Sequence, residues 1–360
     1  MSRIKKKIED LHFTNSKDNM LVKMLKPLSY VYERLVRFRR DLYQKRLLKR
    51  NIAGCFTISV GNLTYGGTGK TPVVINLAEM LSKRGLRVGI VHSGYGSPQH
   101  KRRSSRRVVS EKDGAEIGDE ATEIFVRAKD ALVYSSRNRV DAIERAIFEG
   151  GINVCILDDA FQYLKVASDL QILVVDYFDR FGNEYCLPAG PMRESKNVLA
   201  LADIIWFVSH RRCQIEKDIE KDFLSINNSL KFVYSRFKPE ALIRVNDMKE
   251  VSIPTKSSKK VISFCGIGRD NRFIDMLSEI GVSPIRHLSF GDHHRYTGRD
   301  IERINMTAMK NGAEMVITTE KDYLRDTSIL NKVRDLHIFR VNLEIVEGRT
   351  VLENLCDSLT

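Results

Sequence analysis

The sequence lacks the features of a secreted or membrane-spanning protein. No apolar run approaches the roughly 20 residues that a helix needs to cross a bilayer. Charged residues from Lys5 to Asp10 leave no room for the apolar segment of a secretory leader. The six cysteines form no C-x-x-C pair, so neither a disulfide framework nor a zinc site is indicated. We therefore expect reduced thiols and a chain that remains in the cytosol or on the cytosolic face of a membrane.

Positive charge is the one unusual bulk property, and it is concentrated before the first predicted strand. The formal net charge is +13, and residues 21–50 hold ten Lys or Arg against Glu33 and Asp41. In the same segment apolar residues recur at spacings of three and four: Leu28, Val31, Leu35, Phe38 and Leu42. This pattern is typical of a basic amphipathic helix in a membrane interface. We expect residues 1–50 to form such a helical region, with an anionic membrane surface as its partner.

Two other interpretations of this region remain open. The helix would show the same periodicity if it packed on its own domain and kept a solvated basic side. In the membrane interpretation, Arg37, Arg39 and Arg40 are among the side chains that bind the anionic surface. A nucleic-acid patch would also be basic, but no recognised reader motif accompanies the charge. We therefore expect no nucleic-acid partner.

Residues 59–72 have the composition of a phosphate-binding loop between a buried strand and an amphipathic helix. Glycines let backbone amides turn towards phosphate oxygens, and the helix N-terminus adds partial positive charge. A lysine at the end of such a loop reaches the β- and γ-phosphates, and the following hydroxyl binds Mg²⁺. Thr64 stands where the consensus has its first glycine. The predicted nucleotide-binding residues are Thr64, Gly66, Gly67, Thr68, Gly69, Lys70 and Thr71.

A second apolar strand ends in two carboxylates, Asp158 and Asp159. An acid at the carboxyl end of such a strand holds Mg²⁺ or its water in P-loop enzymes. In a parallel sheet this end and the phosphate loop lie on the same edge, where α/β folds bind ligands. We therefore predict a nucleotide site for ATP, with Mg²⁺ held by Thr71, Asp158 and Asp159.

The alternation of strands and helices predicts an α/β fold: a P-loop NTPase-like layered domain with a mainly parallel sheet, over residues 51–235. Irregular, charged sequence around Lys238-Pro239-Glu240 and at 254–258 indicates a linker. We expect a second, smaller α/β domain over residues 236–360 that closes over the site. It contains the adjacent pair His293 and His294, which suits a general base or an orienting role better than a metal site.

The chain resembles the tetraacyldisaccharide 4'-kinase family, which phosphorylates an acylated disaccharide in the lipid A pathway. The resemblance extends from Pro27 to about Asp322. Members of this family usually have threonine in place of the first loop glycine, as this chain does at Thr64. The matching motifs are Pro27-Leu28-Ser29, Gly66-Gly67-Thr68-Gly69-Lys70-Thr71, Gly94-Tyr95-Gly96, Gly118-Asp119-Glu120, Arg137 with Arg139, Asp158-Asp159 with Gln162, Leu187-Pro188-Ala189-Gly190-Pro191, Asp292-His293-His294 and Thr319-Glu320-Lys321-Asp322.

The resemblance implies transfer of the ATP γ-phosphoryl group to the 4'-hydroxyl of a tetraacyl disaccharide 1-phosphate, the lipid A precursor. The reaction would take place on the cytoplasmic face of the bacterial inner membrane, with the enzyme bound peripherally. By the family's pattern Asp119 takes the hydroxyl proton, and His293 raises the basicity of Asp119 or orients its carboxylate. Lys70 neutralises phosphate charge. Substrate contacts are implied for Glu120, Arg137, Arg139 and Gln162. The sequence departs from the family at Ser93, Ala121, Ala160 and Tyr163.

A membrane-associated regulatory P-loop ATPase is the alternative function, because its loop also reads Gly-Gly-x-Gly-Lys-Thr. Proteins of that kind carry a signature lysine immediately before the glycine pair. Here that position is Tyr65, which argues against them.

Overall fold

The structure is a computed structural model that describes residues 8, 11–13, 18–102, 104–110, 113–251 and 259–360. The N-terminal charges between Lys5 and Asp10 and the predicted linker at 254–258 lie outside these residues. Within them, no helix combines the length and apolarity that crossing a bilayer requires. All six cysteines are free thiols, as predicted.

Helices and strands alternate through most of the chain. The helices are α1 (Met20–Gln44), α2 (Lys70–Lys83), α3 (Pro98–Lys101), α4 (Gly114–Ile117), α5 (Asp119–Arg127), α6 (Arg139–Gly150), α7 (Asp218–Leu224), α8 (Asp270–Glu279), α9 (Gly298–Lys310), α10 (Glu320–Arg325), α11 (Thr327–Leu330) and α12 (Arg349–Asp357), with a 3₁₀ helix at Lys196–Leu201. The strands are β1 (Asn51–Ile52), β2 (Phe56–Gly61), β3 (Val88–His92), β4 (Arg106–Arg107), β5 (Leu132–Ser135), β6 (Val154–Asp158), β7 (Val166–Ala167), β8 (Leu170–Asp176), β9 (Ile204–Ser209), β10 (Lys231–Arg244), β11 (Lys249–Val251), β12 (Val261–Cys265), β13 (Arg286–Ser289), β14 (Met315–Thr319) and β15 (Leu336–Glu347).

One sheet runs through the whole molecule, in the order β13-β12-β14-β15-β10-β9-β8-β2-β6-β3-β5-β4, with β11 paired to β10. Strands β2, β3, β6, β8 and β9 pair in parallel. They are buried along most of their length because helices cover both faces, as parallel sheets require. The strand that leads into the phosphate loop, β2, lies at the centre between β6 and β8.

The predicted linker at Lys238-Pro239-Glu240 is wrong, because these residues lie inside β10. This long strand pairs in parallel with β9 over its first half and antiparallel with β15 over most of its length. A register shift between Pro239 and Ala241 accommodates the irregular sequence. We call residues 51–235 the first unit and residues 236–360 the second unit; their boundary falls within β10, so the two units share one sheet.

Helix α1 packs against the first unit by one face and leaves the other exposed. Ser29 Oγ accepts the Ala189 amide at 2.9 Å. The buried Arg40 guanidinium donates to both carboxylate oxygens of Glu194, at 2.7 and 2.6 Å. Arg40 is therefore a structural residue, and the expectation that it binds an anionic membrane together with Arg37 and Arg39 is wrong for this side chain. The exposed face carries Met20, Met24, Leu28, Val31, Leu35 and Phe38.

We expect Arg40→Ala to lower the free energy of unfolding by about 3–5 kcal/mol, because it leaves the carboxylate of Glu194 buried without a partner. Arg37→Ala is the matched control, since Arg37 is exposed on the same helix. Urea unfolding of both variants measures the difference. Equal stabilities would show that the Arg40–Glu194 ion pair does not hold α1 to the first unit.

Candidate active site

The phosphate loop joins β2 to α2, as predicted, with Gly69 immediately before the helix. Gly69 has a φ of 89°, in the left-handed region that favours glycine. A Cβ atom at this position would lie 2.9 Å from Cγ1 of Val208. Both constraints require glycine here. The N-terminal amides of α2 consequently remain open towards the carboxyl edge of the sheet, where an anion would bind.

Asn62 braces this loop from inside. Its Nδ2 donates to the Thr64 carbonyl at 2.6 Å and to Thr68 Oγ1 at 3.1 Å. The backbone carbonyl of Asn62 accepts a hydrogen bond from Gln162 Nε2 at 3.0 Å. The buried Thr64 and Thr68 thus shape the loop through Asn62, and Gln162 connects the loop to the segment that follows β6.

The two acids after β6 have different environments. Asp158 is 1% exposed, and its Oδ1 has no hydrogen-bond partner among the described residues. Burial raises the pKa of Asp158. Asp159 lies 2.9 Å from Arg193 and 3.7 Å from Lys70. Burial alone would raise its pKa as well, but the charges of Lys70, Arg193 and Arg139 lower the pKa of Asp159 to about 2.

His92, at the end of β3, connects the acidic strand end to helix α5. Its Nδ1 accepts the Gly94 amide at 2.9 Å, which places the ring proton on Nε2. That nitrogen lies 3.2 Å from Glu120 Oε2 and 3.8 Å from Asp158 Oδ2. Glu120 also accepts from Lys321 of the second unit at 2.9 Å. A row of charged and polar groups therefore runs from the second unit to Asp158.

Asp119 begins α5, directly after Gly118, and meets the second unit there. Its Oδ2 lies 3.1 Å from His293 Nδ1 and accepts from Arg325 Nε and Nη2 at 2.9 and 2.8 Å. Burial by itself would raise the pKa of Asp119, but the hydrogen bond from His293 and the charges of Lys321 and Arg325 lower the pKa below its ordinary value.

The neighbouring His294 is engaged elsewhere. Its Nε2 lies 3.1 Å from Asp300 Oδ2, and its ring stacks on Phe290. Asp300 belongs to the capping box that begins α9. Of the two adjacent histidines, His293 is therefore the one that contacts Asp119.

The residues implied to bind substrate differ in how far they are buried and in how many partners they have. Arg139 is buried, donates to the Asp159 carbonyl at 2.9 Å and lies over the Tyr163 ring. Arg137 is exposed. Within the described chain, several buried side-chain atoms near the phosphate loop and the acids lack a hydrogen-bond partner: Asn62 Oδ1, Arg139 Nη1, Asp158 Oδ1 and Gln162 Oε1. Buried polar groups are normally paired, so this group of atoms is suited to a polar ligand.

Sequence reasoning assigned no role to four charged residues of the site: His92, Arg193, Lys321 and Arg325. Lys321 lies in a recognised motif, and Arg325 follows Asp322 at the helical spacing that pairs their side chains. Their contacts with the first unit join residues that are 201 and 206 positions apart. No pattern of neighbouring residues in the sequence predicts contacts over such separations.

A phosphate loop, an acidic strand end and a parallel sheet define a P-loop nucleotide-binding enzyme. The profile of the family described as "Tetraacyldisaccharide-1-P 4'-kinase" matches residues 21–360. The chain belongs to this family. The match does not favour the regulatory ATPase that the loop sequence also allowed.

Relatives and a solved structure agree with this assignment. A protein from Desulfatibacillum aliphaticivorans named tetraacyldisaccharide 4'-kinase is 34% identical, over 97% of this chain and 96% of the relative. One of the same name from Anaeromyxobacter sp. (strain K) is 32% identical, over 89% and 86%. The crystal structure of LpxK from Aquifex aeolicus in complex with ATP is 26% identical, covers 95% of this chain and 100% of its own, and superposes with a TM-score of 0.74. The predicted fold class is confirmed.

We expect Asp158→Asn to abolish phosphoryl transfer and yet to stabilise the protein without nucleotide by about 1 kcal/mol, because it removes a buried carboxylate whose Oδ1 is unpaired. A transfer assay with labelled ATP measures the first effect, and thermal unfolding without nucleotide measures the second. Asp159→Asn is the control: it loses the ion pairs to Lys70 and Arg193, so it should not stabilise. A lower melting temperature for Asp158→Asn would contradict this interpretation.

Proposed function

We propose that this chain transfers the γ-phosphoryl group of ATP to the 4'-hydroxyl of a tetraacyl disaccharide 1-phosphate, in the synthesis of lipid A. One observation carries the proposal. The Asp119–His293 pair, which would receive the acceptor hydroxyl, connects through Glu120 and His92 to the acid beside the phosphate loop. The groups proposed to bind donor and acceptor therefore belong to one chain of contacts where the two units meet.

The donor side is built for a nucleoside triphosphate. The loop amides and the N-terminus of α2 present partial positive charge to phosphate oxygens. Lys70 lies 3.7 Å from Asp159 and would exchange this partner for the phosphates. Arg193 remains with Asp159 when Lys70 moves, so the acid stays paired. The solved relative from Aquifex aeolicus, which binds ATP, supports this nucleotide.

Mg²⁺ fits the residues predicted to hold it. Among the described residues no group of three or more His, Cys, Asp or Glu side chains is placed to hold a metal. Mg²⁺ does not need one, since it commonly takes one or two carboxylates and fills the other positions with water and substrate phosphates. The unpaired Asp158 Oδ1 makes this residue, with Thr71, the better candidate ligand than Asp159. When bound, the ion neutralises charge on the phosphates.

For binding the acceptor hydroxyl, the position of Asp119 matters more than its basicity. Phosphoryl transfer to an alcohol passes through a loose transition state in most analyses, so the hydroxyl loses its proton late and needs chiefly to be oriented. An ionised Asp119 accepts the hydroxyl hydrogen bond and then the proton, and His293 holds the carboxylate. The unpaired Nη1 of Arg139 and Oε1 of Gln162, with the exposed Arg137, are available to polar groups of the acceptor. Glu120, bound to His92 and Lys321, positions this side of the site.

Helix α1 supplies a surface for the membrane that contains the acylated acceptor. Its outward face carries a continuous apolar stripe, with Leu35 and Phe38 63% and 62% exposed. Exposed basic residues such as Arg37 flank it. A helix with this pattern lies in the interface with its apolar face among the acyl chains. We therefore place the enzyme peripherally on the cytoplasmic face of the inner membrane.

The activity is tested by incubating the protein with labelled ATP, Mg²⁺ and a tetraacyl disaccharide 1-phosphate, followed by product analysis. Lys70→Ala should abolish transfer with only a small fall in melting temperature, because Asp159 loses the charge of Lys70 but keeps its ion pair with Arg193. Lys83→Ala, at the other end of the same helix, is the control and should be fully active. Retained turnover in Lys70→Ala would refute the assignment of the phosphate loop.

The membrane contact is tested with Leu35→Gln/Phe38→Gln. We expect binding to vesicles that contain phosphatidylglycerol to fall by about 100-fold, since burying each apolar side chain contributes about 1.5 kcal/mol. The apparent KM for the lipid acceptor should rise, while that for ATP should not. Met306→Gln/Met309→Gln removes exposed apolar groups from α9 and is the control. If the α1 variant binds vesicles as the wild type does, the stripe is not the membrane contact.

A further inference from the structure

Arg325, on the short helix α10, is the most completely bound side chain of the site. It is 1% exposed, and its Nε and Nη2 both donate to Asp119 Oδ2. Its Nη1 donates to Asp322 Oδ1 at 2.9 Å and to the carbonyls of Gly266 and His294 at 3.1 and 3.3 Å. The Arg325 guanidinium therefore binds groups of the second unit on one side and Asp119 of the first unit on the other.

The same guanidinium also holds the histidine segment. The Gly266 carbonyl that accepts from Arg325 accepts the His293 amide as well, at 3.1 Å. The carbonyl of the following residue, His294, accepts a hydrogen bond from Arg325 directly. His293 has a φ of 56°, which a non-glycine residue keeps only where its surroundings hold it. Asp119 and His293 come from different units, and both are held by contacts that converge on Arg325.

We propose that Arg325 is a positioning residue for phosphoryl transfer. It holds Oδ2 of Asp119 against His293 and keeps the carboxylate ionised, so that Oδ1 is left for the acceptor hydroxyl. Among the described residues Oδ1 accepts only the adjacent Glu120 amide, at 3.1 Å. This inference rests on the proposed role of Asp119 in binding the acceptor.

The charge around Asp119 is consistent with this role. His293, Lys321 and Arg325 face the carboxylate as donors or cations, while Glu120 and Glu123 contribute negative charge nearby. A lysine would supply charge in place of Arg325 but would lack the planar fork that binds Asp119 with two nitrogens and the Gly266 and His294 carbonyls with the third. The geometry of arginine is required, and its charge alone is insufficient.

The test uses Arg325→Lys, which keeps the charge and loses the fork, and Arg325→Gln, which loses both. We expect kcat to fall by about 100-fold in each, the loss typical of a misplaced catalytic group, with KM for ATP unchanged. In an Asp119→Asn background, Arg325→Lys should add less than about a twofold loss, because it acts through Asp119. Arg340→Lys is the matched control: Arg340 binds Glu320 in the second unit, and Glu320 does not contact Asp119.

A second measurement needs no acceptor. The Asp119 carboxyl, assigned by comparison with Asp119→Asn, is titrated by carbon NMR in protein with labelled aspartate. Removing the cation in Arg325→Gln should raise the pKa of Asp119 towards its ordinary value, because burial then opposes ionisation with one fewer neighbouring cation. Arg340→Gln should leave the pKa unchanged.

Wild-type kcat in Arg325→Lys, losses that multiply with Asp119→Asn, or an unchanged Asp119 titration in Arg325→Gln would each overturn the inference. If Arg325→Gln does not fold, Arg325→Lys and its double variant decide. A wild-type protein that binds ATP but transfers no phosphate to the tetraacyl acceptor would refute the proposed function. The Asp119 titration would then still decide whether Arg325 keeps Asp119 ionised.

Discussion

The ionic contact between α5 and α10 is the interaction on which the site depends. At one end of α5 Asp119 binds Arg325 and Glu120 binds Lys321. At the other end Arg127 binds Glu320 at 2.9 Å. Removing Arg325 from its pair with Asp119 costs about 3–5 kcal/mol, because the Asp119 carboxylate stays buried. These pairs therefore fix where Asp119 and Glu120 lie relative to the phosphate loop.

The phosphate-loop side of the site has the opposite character, since two of its buried polar atoms are unpaired. Within the described part of the chain, Asp158 Oδ1 and Asn62 Oδ1 each lack the hydrogen bond that a buried polar atom normally has. Such atoms lower the stability of the free protein and can be paired by a bound ligand. The groups around Asp119 are thus held by ion pairs between the two units, whereas polar atoms beside the phosphate loop are left unpaired.

Local patterns predicted much of this arrangement. The glycine loop followed by Lys70 and the strand ending in Asp158 carry their chemistry in consecutive residues, so their positions follow once a parallel sheet is inferred. The prediction of a linker at Lys238-Pro239-Glu240 was wrong because the structure of this segment depends on distant strands and not on neighbouring residues. Proline and charge are disfavoured in isolated strands, yet pairing with β9 and β15 overrides local preference in β10.

The sequence alone determined the chemical groups of the site, the alternation of strands and helices, and the existence of an amphipathic basic helix, because these depend on neighbouring residues. Tertiary structure decided which face of α1 is exposed, that Arg40 is buried against Glu194, and that Arg325 holds Asp119. These contacts join residues 154 and 206 positions apart. The packing of helices and strands decides which of these side chains lie close together. The sequence around a charged residue does not show which opposite charge it will pair with.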